Sequence, residues 1–286
     1  MVFEREWSNE VTRMNKAEIL FDNSKFRIMG ILNVTPDSFF DGGYNFLFQE
    51  AMNRIAIMVK VGADAIDIGG ESTRPGSAPV ELNEELNRVL PVIEAASKRF
   101  DVCLSVDTQK FEVAREAIKA GAHVVNSVDG LSDERMVDLV AQSNTPVIIM
   151  HMYGEPKTMH LSSMEGDVIK ELNRFFDERI EMCKGAGIKK FILDPGIGFG
   201  KSAEQNLAII KHIGKLKKKN IPLMVGHSNK SFIGKVTGRE VDARTYGTNA
   251  VTTLAFYNGA DIVRVHEVAS AKDAACIAYA VKTEKI

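Results

Sequence analysis

Cysteine is scarce in this 286-residue chain: Cys103, Cys183 and Cys276 stand far apart in apolar or helical surroundings. Three scattered thiols make no disulfide framework, so a reduced protein is expected, with the cytoplasm as its location. No Cys-x-x-Cys or His-Glu-x-x-His spacing occurs, and His151 and His160 are too far apart for an i, i+4 pair, which argues against a zinc site. Neither sign of charge is in excess. The 36 Lys and Arg against 38 Asp and Glu leave a net charge of -2 and a pI near 6.3, without the basic field that a nucleic-acid partner requires. The run Lys215-Leu216-Lys217-Lys218-Lys219 is short and follows a helical segment, so it reads as a solvated face favoured by the helix dipole. Long apolar stretches are missing as well. The start, Met1-Val2-Phe3-Glu4-Arg5-Glu6-Trp7, carries acidic residues, so neither a signal peptide nor a transmembrane helix is expected, and no membrane partner.

What is present is a core. Hydrophobic residues make up 45% of the chain and mean hydropathy is -0.08, a balance that fits one α/β barrel of roughly 250 residues. Buried-type strands are expected at Ile28 to Val34, Ala65 to Gly69, Cys103 to Asp107, His123 to Val128, Pro146 to Met152, Phe191 to Asp194, Pro222 to Ser228 and Asp261 to Val265. Helical periodicity fills the intervals, as in Met52, Ile55, Ala56 and Val59, or Ile169, Leu172, Phe176 and Ile180. Eight continuous apolar strands alternating with helices predict a (β/α)8 TIM barrel, with an open doubly wound sheet as the alternative. Residues 1–25 form an N-terminal arm or barrel plug in this reading, with Trp7 against the barrel bottom. Residues 26–286 form the barrel.

In such a barrel chemistry gathers at the C-terminal ends of the strands. Asn33, Thr73 with Arg74, Asp107, Asn126, His151, Asp194, Ser228 with Lys230, and Arg264 with His266 stand at those ends. A single Asp or Asn there often caps the next helix; eight polar ends together point to one shared site. Asp107, Asp194 and Asn126 suit a flat, nitrogen-rich heterocycle, whose N–H donors pair with carboxylates. Thr73, Arg74, Lys230, Arg264 and His266 suit phosphate or pyrophosphate. A hard ion held by Asn33 and phosphate oxygens would be Mg2+. The segment Pro195-Gly196-Ile197-Gly198-Phe199-Gly200-Lys201-Ser202 imitates a nucleotide loop, but Pro195 stands where that pattern needs Gly. Its glycines let backbone pass close to a ligand, and Phe199 offers an aromatic wall.

Ile31 to Gly43, Gly69 to Ser77, Ser105-Val106-Asp107-Thr108, Leu193 to Lys201 and Val263 to His266 together resemble dihydropteroate synthase, from about Ile28 to Val268. The resemblance implies a (β/α)8 barrel that joins 6-hydroxymethyl-7,8-dihydropterin pyrophosphate to p-aminobenzoate. It implies that Asp107, Asn126, Asp194 and Lys230 hold the pterin, and that Asn33, Thr73, Arg74, Arg264 and His266 hold the pyrophosphate, with Asn33 on Mg2+. Pro75, Phe199, Ser228 and Lys230 would border the aminobenzoate, beneath loops bearing Asp37, Ser38 and Phe39 and bearing Arg74 and Pro75. It also implies a homodimer through the last helices. Asp107, Lys230 and Arg264 are the expected catalytic residues, in a displacement that needs no strong general base, in keeping with the lack of a Ser/His/Asp or Cys/His pattern.

Two positions depart from the family's pattern. Asn229, rather than an Arg, precedes Lys230, and Ser127, rather than an Asp, follows Asn126. These departures keep a non-catalytic or altered-acceptor pterin-binding paralogue in view, together with a methyltetrahydrofolate methyltransferase. A methyl transfer needs no pyrophosphate site, yet Thr73, Arg74 and Arg264 are present.

Overall fold

The computed structural model describes residues 16–22, 24–35, 44–72, 79–154 and 163–285. Trp7, Asp37, Ser38, Phe39, Thr73, Arg74, Pro75 and His160 lie outside them. The strands are β1 (Arg27–Asn33), β2 (Ala65–Gly69), β3 (Cys103–Asp107), β4 (Val124–Ser127), β5 (Val147–Met150), β6 (Phe191–Asp194), β7 (Met224–Gly226) and β8 (Ile262–Val265). The helices are α1 (Tyr44–Lys60), α2 (Leu82–Arg99), α3 (Phe111–Ala120), α4 (Glu134–Gln142), α5 (Val168–Gly185), α6 (Ala203–Lys211), α7 (Ser231–Thr237), α8 (Thr245–Asn258) and α9 (Val268–Thr283).

Every strand pair is parallel, in the order β6-β5-β4-β3-β2-β1-β8-β7. The ring closes through a parallel bridge between Leu193 and Leu223, reinforced by the Leu193 N–H donating to the Pro222 carbonyl at 3.0 Å. That closure rules out the open sheet: the chain is a (β/α)8 TIM barrel. The ladders of β4, β5 and β7 stop short of the apolar runs, because Val128, Met152 and Ser228 already belong to the barrel mouth.

Side chains alternate between the two faces of each strand. Outward residues such as Ile28, Leu32, Ile66, Ile68, Leu104 and Val106 are fully buried beneath the helices. Inward residues Met29, Ala65, Cys103, Val124, Ile148, Ile192, Met224 and Ile262 form an apolar bottom layer that packs on Ala17 and Leu20 of the segment before β1. Burial pushes the Cys103 thiol up to about 12, which leaves it inert. Two residues further along, the inward positions change character to Asp67, Ser105, Asn126, Asp194 and Arg264. The apolar floor thus carries a polar chamber. At the opposite end the lysine run is only partly solvated, since Lys217 pairs with Asp261 and Lys218 with Asp177 at 2.5 Å.

Candidate active site

Arg264 is the hub of the chamber. Its Nε donates to Asp67 Oδ2 at 2.6 Å and its Nη2 to Asp107 Oδ2, while Asn126 Nδ2 donates to the same Asp67 oxygen at 2.8 Å. Burial works against the Arg264 charge, but Asp67 and Asp107 hold the guanidinium above its ordinary value. Burial pushes Asp107 up to about 7, with Arg264 opposing. It also raises Asp194, with Lys230 opposing, although Asp194 Oδ1 accepts the Gly196 N–H at 2.8 Å. Three buried carboxylates therefore face two cations, Arg264 and Lys230. Asp67 Oδ1, Asp107 Oδ1, Asn126 Oδ1 and Ser105 Oγ have no partner at all, on residues that are 0, 4, 3 and 0% exposed. Each such orphan costs about 1–3 kcal/mol. The chamber is complementary to a ligand that brings N–H donors.

Beside this polar edge lies an apolar wall of Val128, Met150 and Phe199, with Met152 packed against it. The Lys230 ammonium stands 4.4 Å from the centre of the Phe199 ring and donates to the Ile197 carbonyl. Burial lowers Lys230 to about 7 in spite of Asp194. Phe199 is presented by a loop whose Gly196 and Gly200 take φ of +62° and +65°. A Cβ on either would fall 1.9 or 2.0 Å from the carbonyl oxygen of His151 or Tyr153, so only glycine fits. Ser202, the last residue of the nucleotide-loop imitation, instead caps α6 in a reciprocal box with Gln205.

The barrel brings the other strand ends to the same mouth. Ser228 Oγ accepts the His266 backbone N–H at 3.2 Å and lies 2.9 Å from His266 Nδ1. Asn33 occupies the last, half-buried position of β1, in register with Gly69 and so with Asp107 two strands away. The stub leading toward Thr73 is anchored as well: Lys110 bridges Glu71 and the buried Glu85, and Thr108 donates to Glu85 at 2.7 Å. His151 Nδ1 has no partner, its ring meets Phe175 edge-on, and burial lowers it to about 3, so it is a neutral wall residue.

Both departures from the family's pattern have a local explanation. Ser127 faces out of the chamber, where it donates to Asp129 at 2.5 Å and accepts the Leu131 N–H at 3.0 Å, closing a turn. Asn229 has φ +56°, a left-handed conformation that Asn tolerates better than most residues. Thr248 holds it from two directions, and the Arg244 guanidinium donates to its carbonyl at 3.0 Å. Reading strand ends alone missed Asp67, which is central to the charge network. Its signal was a carboxylate inside the apolar strand Ala65-Ile66-Asp67-Ile68-Gly69, on the inward register.

Among the described residues no group of three or more His, Cys, Asp or Glu is placed to hold a metal ion. No helix among them is long and apolar enough to cross a membrane. The sequence pattern described as pterin binding enzyme matches residues 29–266. The dihydropteroate synthase of Escherichia coli is 44% identical over 266 residues, covering 92% of this chain and 94% of that protein, and the one of Synechocystis is 44% identical over 257 residues, covering 88% and 89%. The Yersinia pestis dihydropteroate synthase, solved with a sulfonamide drug complex, superposes with a TM-score of 0.86 at 44% identity, covering 92% of this chain and 96% of that one. The Xanthomonas albilineans enzyme, solved with 7,8-dihydropteroate, gives 0.83 at 40% identity, covering 91% and 95%. This chain belongs to the pterin binding enzyme family and, within it, to the dihydropteroate synthases, which are transferases.

Proposed function

We propose that this chain condenses 6-hydroxymethyl-7,8-dihydropterin pyrophosphate with p-aminobenzoate, giving 7,8-dihydropteroate and pyrophosphate for folate biosynthesis, by a dissociative displacement. The supporting observation is the set of orphan acceptors on Asp67, Asp107 and Asn126, opposite an apolar wall. A flat pterin edge supplies the missing donors. Asp107, Asn126, Asp194 and Lys230 hold the ring, and Thr73, Arg74, Arg264 and His266 hold the pyrophosphate. Pro75, Phe199, Ser228 and Lys230 border the aminobenzoate.

The bond between the exocyclic carbon and the pyrophosphate oxygen breaks first, and its electron pair leaves with the pyrophosphate. The cation left behind spreads over the electron-rich ring. The surplus carboxylate charge around Arg264 stabilises it from fixed positions, without reorganisation at the moment of reaction. The aniline nitrogen then attacks the carbon and gives its proton to solvent. Arg264 and Arg74 offset the growing charge on the leaving group, and the loops hold the amine in line.

A magnesium ion fits Asn33, because such an ion takes one or two protein oxygens and completes its shell with phosphate and water. Asn33 would hold it, and the ion would supply charge neutralisation on the pyrophosphate. A homodimer through the last helices is supported by the exposed Leu254 and Tyr257 of α8 and Ile277 and Val281 of α9.

Asp107 must be ionised and Lys230 charged for this chemistry. Asp107 gains its charge as pH rises through about 7, and Lys230 loses its charge as pH rises through about 7. The expected pH profile of kcat/KM for the pterin substrate is a narrow bell. In Lys230→Arg the cation no longer titrates, so the basic limb should move beyond about pH 9 while the acid limb stays. A basic limb that stays in place would acquit Lys230.

Pyrophosphate release by the purified protein tests the whole reading, measured with magnesium and the pterin pyrophosphate, with and without p-aminobenzoate. Release that requires the amine and matches dihydropteroate formed is expected. Pterin binding without amine-dependent release would make the chain a non-catalytic or altered-acceptor paralogue. Sedimentation of the same preparation as a monomer would remove the homodimer.

A further inference from the structure

Lys201 is a buried lysine that the chemistry above leaves unused. It is 8% exposed, and its Nζ donates to three backbone carbonyls: Gly196 at 2.9 Å, Phe199 at 3.0 Å and His151 at 3.3 Å. Burial lowers Lys201 to about 7; in its protonated form the amine has three donors, and here each has an acceptor. The acceptors come from two loops, the one after β5 and the one after β6. Those loops meet backbone to backbone, as the collisions of any Cβ at Gly196 and Gly200 show. Carbonyl dipoles pointing at one spot repel each other, and a cation at that spot turns the repulsion into attraction.

The pieces held by this cage differ in what else secures them. Asp194 sits on the β6 ladder opposite Met150, and its carbonyl accepts the His151 N–H at 2.9 Å, so the strand fixes its backbone. Phe199 lies five residues further on. Its backbone is tied by a turn in which its N–H donates to the Gly196 carbonyl at 3.1 Å, and that carbonyl is one of the three on Lys201. The Phe199 carbonyl is another. The aromatic wall therefore depends on Lys201 where the pterin edge depends on the sheet.

We propose that Lys201 is a positioning residue for the amine acceptor: it sets the Phe199 ring across the mouth and so controls the affinity for p-aminobenzoate. The inference rests on the reading that Phe199 borders the aminobenzoate. Asn206 completes the loop by accepting the Gly198 N–H at 2.8 Å and donating to the Lys201 carbonyl at 3.3 Å, and the Met164 N–H of the neighbouring loop donates to the Gly200 carbonyl at 2.9 Å; the Lys201 side chain adds the tie that reaches the Phe199 carbonyl itself.

The test uses the full chain with Lys201→Met, Lys201→Arg, Phe199→Ala and the Phe199→Ala/Lys201→Met double variant. In Lys201→Met the KM for p-aminobenzoate should rise about tenfold, while the dissociation constant of a pterin without phosphates stays within about twofold. Lys201→Arg keeps charge and donors and should recover part of the loss. In the Phe199→Ala background, Lys201→Met should add little, as expected for residues acting through one contact. An unchanged KM in Lys201→Met, equal loss of pterin binding, or additivity with Phe199→Ala would overturn the proposal. If Phe199→Ala alone leaves the KM unchanged, the subsite reading fails instead, and the route through Phe199 fails with it. Should Lys201→Met not fold, the arginine variant decides by the same split: a raised KM for the amine with intact pterin binding supports the role, and equal losses reject it.

Discussion

Asp194→Asn should weaken pterin binding by roughly 100-fold, about 3 kcal/mol, the scale of losing hydrogen bonds to a charged group. The substitution is well isolated. Asn keeps an oxygen for the Gly196 N–H, so the loop retains its anchor. Where Oδ2 faced the chamber, an NH2 group now meets the N–H donors of the ring, and donor opposes donor. Stability should hardly change, because burial already disfavours the Asp194 charge. Titration of a pterin by calorimetry gives the number. An affinity within about threefold of the parent, in a protein of unchanged Tm, would take Asp194 out of the pterin site.

Arg264→Ala should do more damage, and in a way that reports its own cause. Arg264 is shared by Asp67 and Asp107, and removing it leaves two buried carboxylates without their common cation. Breaking a buried pair from one side costs about 3–5 kcal/mol. For a chain of this size that is a Tm loss on the order of 10 °C. The sign with pH follows from linkage. In the variant Asp107 loses the cation that opposes its burial and binds its proton more tightly folded than unfolded, so stability falls as pH rises above the unfolded value of about 4 and returns as pH is lowered. The Tm deficit should therefore shrink between about pH 8 and pH 5. Binding should split too, with a larger loss for the pterin pyrophosphate than for a pterin lacking phosphates. A deficit independent of pH, together with equal losses for both ligands, would mean that Arg264 is only a spacer.

Much of this architecture could be read from the chain. Eight apolar runs gave eight parallel strands because a sheet covered on both faces needs no polar alternation, and β2, β3 and β6 begin and end where their runs do. Strand-end logic also located Asp107, Asn126, Asp194, Ser228, Lys230, Arg264 and His266 at one mouth. Depth was harder to see. Asp67 sits two residues below the strand end, and only the inward register, a property of the closed barrel, shows that its carboxylate reaches Arg264 across the interior. Lys201 was hidden for another reason. In Gly200-Lys201-Ser202 a lysine invites a phosphate, whereas its partners are backbone carbonyls, two in its own loop and one about fifty residues away in sequence. Charge pairing can be guessed from residue types, but backbone acceptors are anonymous in a sequence. Ser127 and Asn229, which looked like losses in the site, answer to a turn and to a left-handed backbone.

The glycine loop under Phe199 also limits how the protein can change over generations. At Gly196 and Gly200 any side chain would strike the main chain of the neighbouring loop, so no single replacement is available there without moving both. Gly198 is limited for another reason: its added Cβ would approach only the Lys230 side chain, at 3.1 Å, but its φ of +85° is one that side-chain-bearing residues rarely adopt. Selection for a different aromatic amine, or for exclusion of an inhibitor that imitates one, has little room in this wall. Heritable variation in specificity must enter instead through the side chains around the rest of the mouth, with the Phe199 loop as the inherited constant against which they vary.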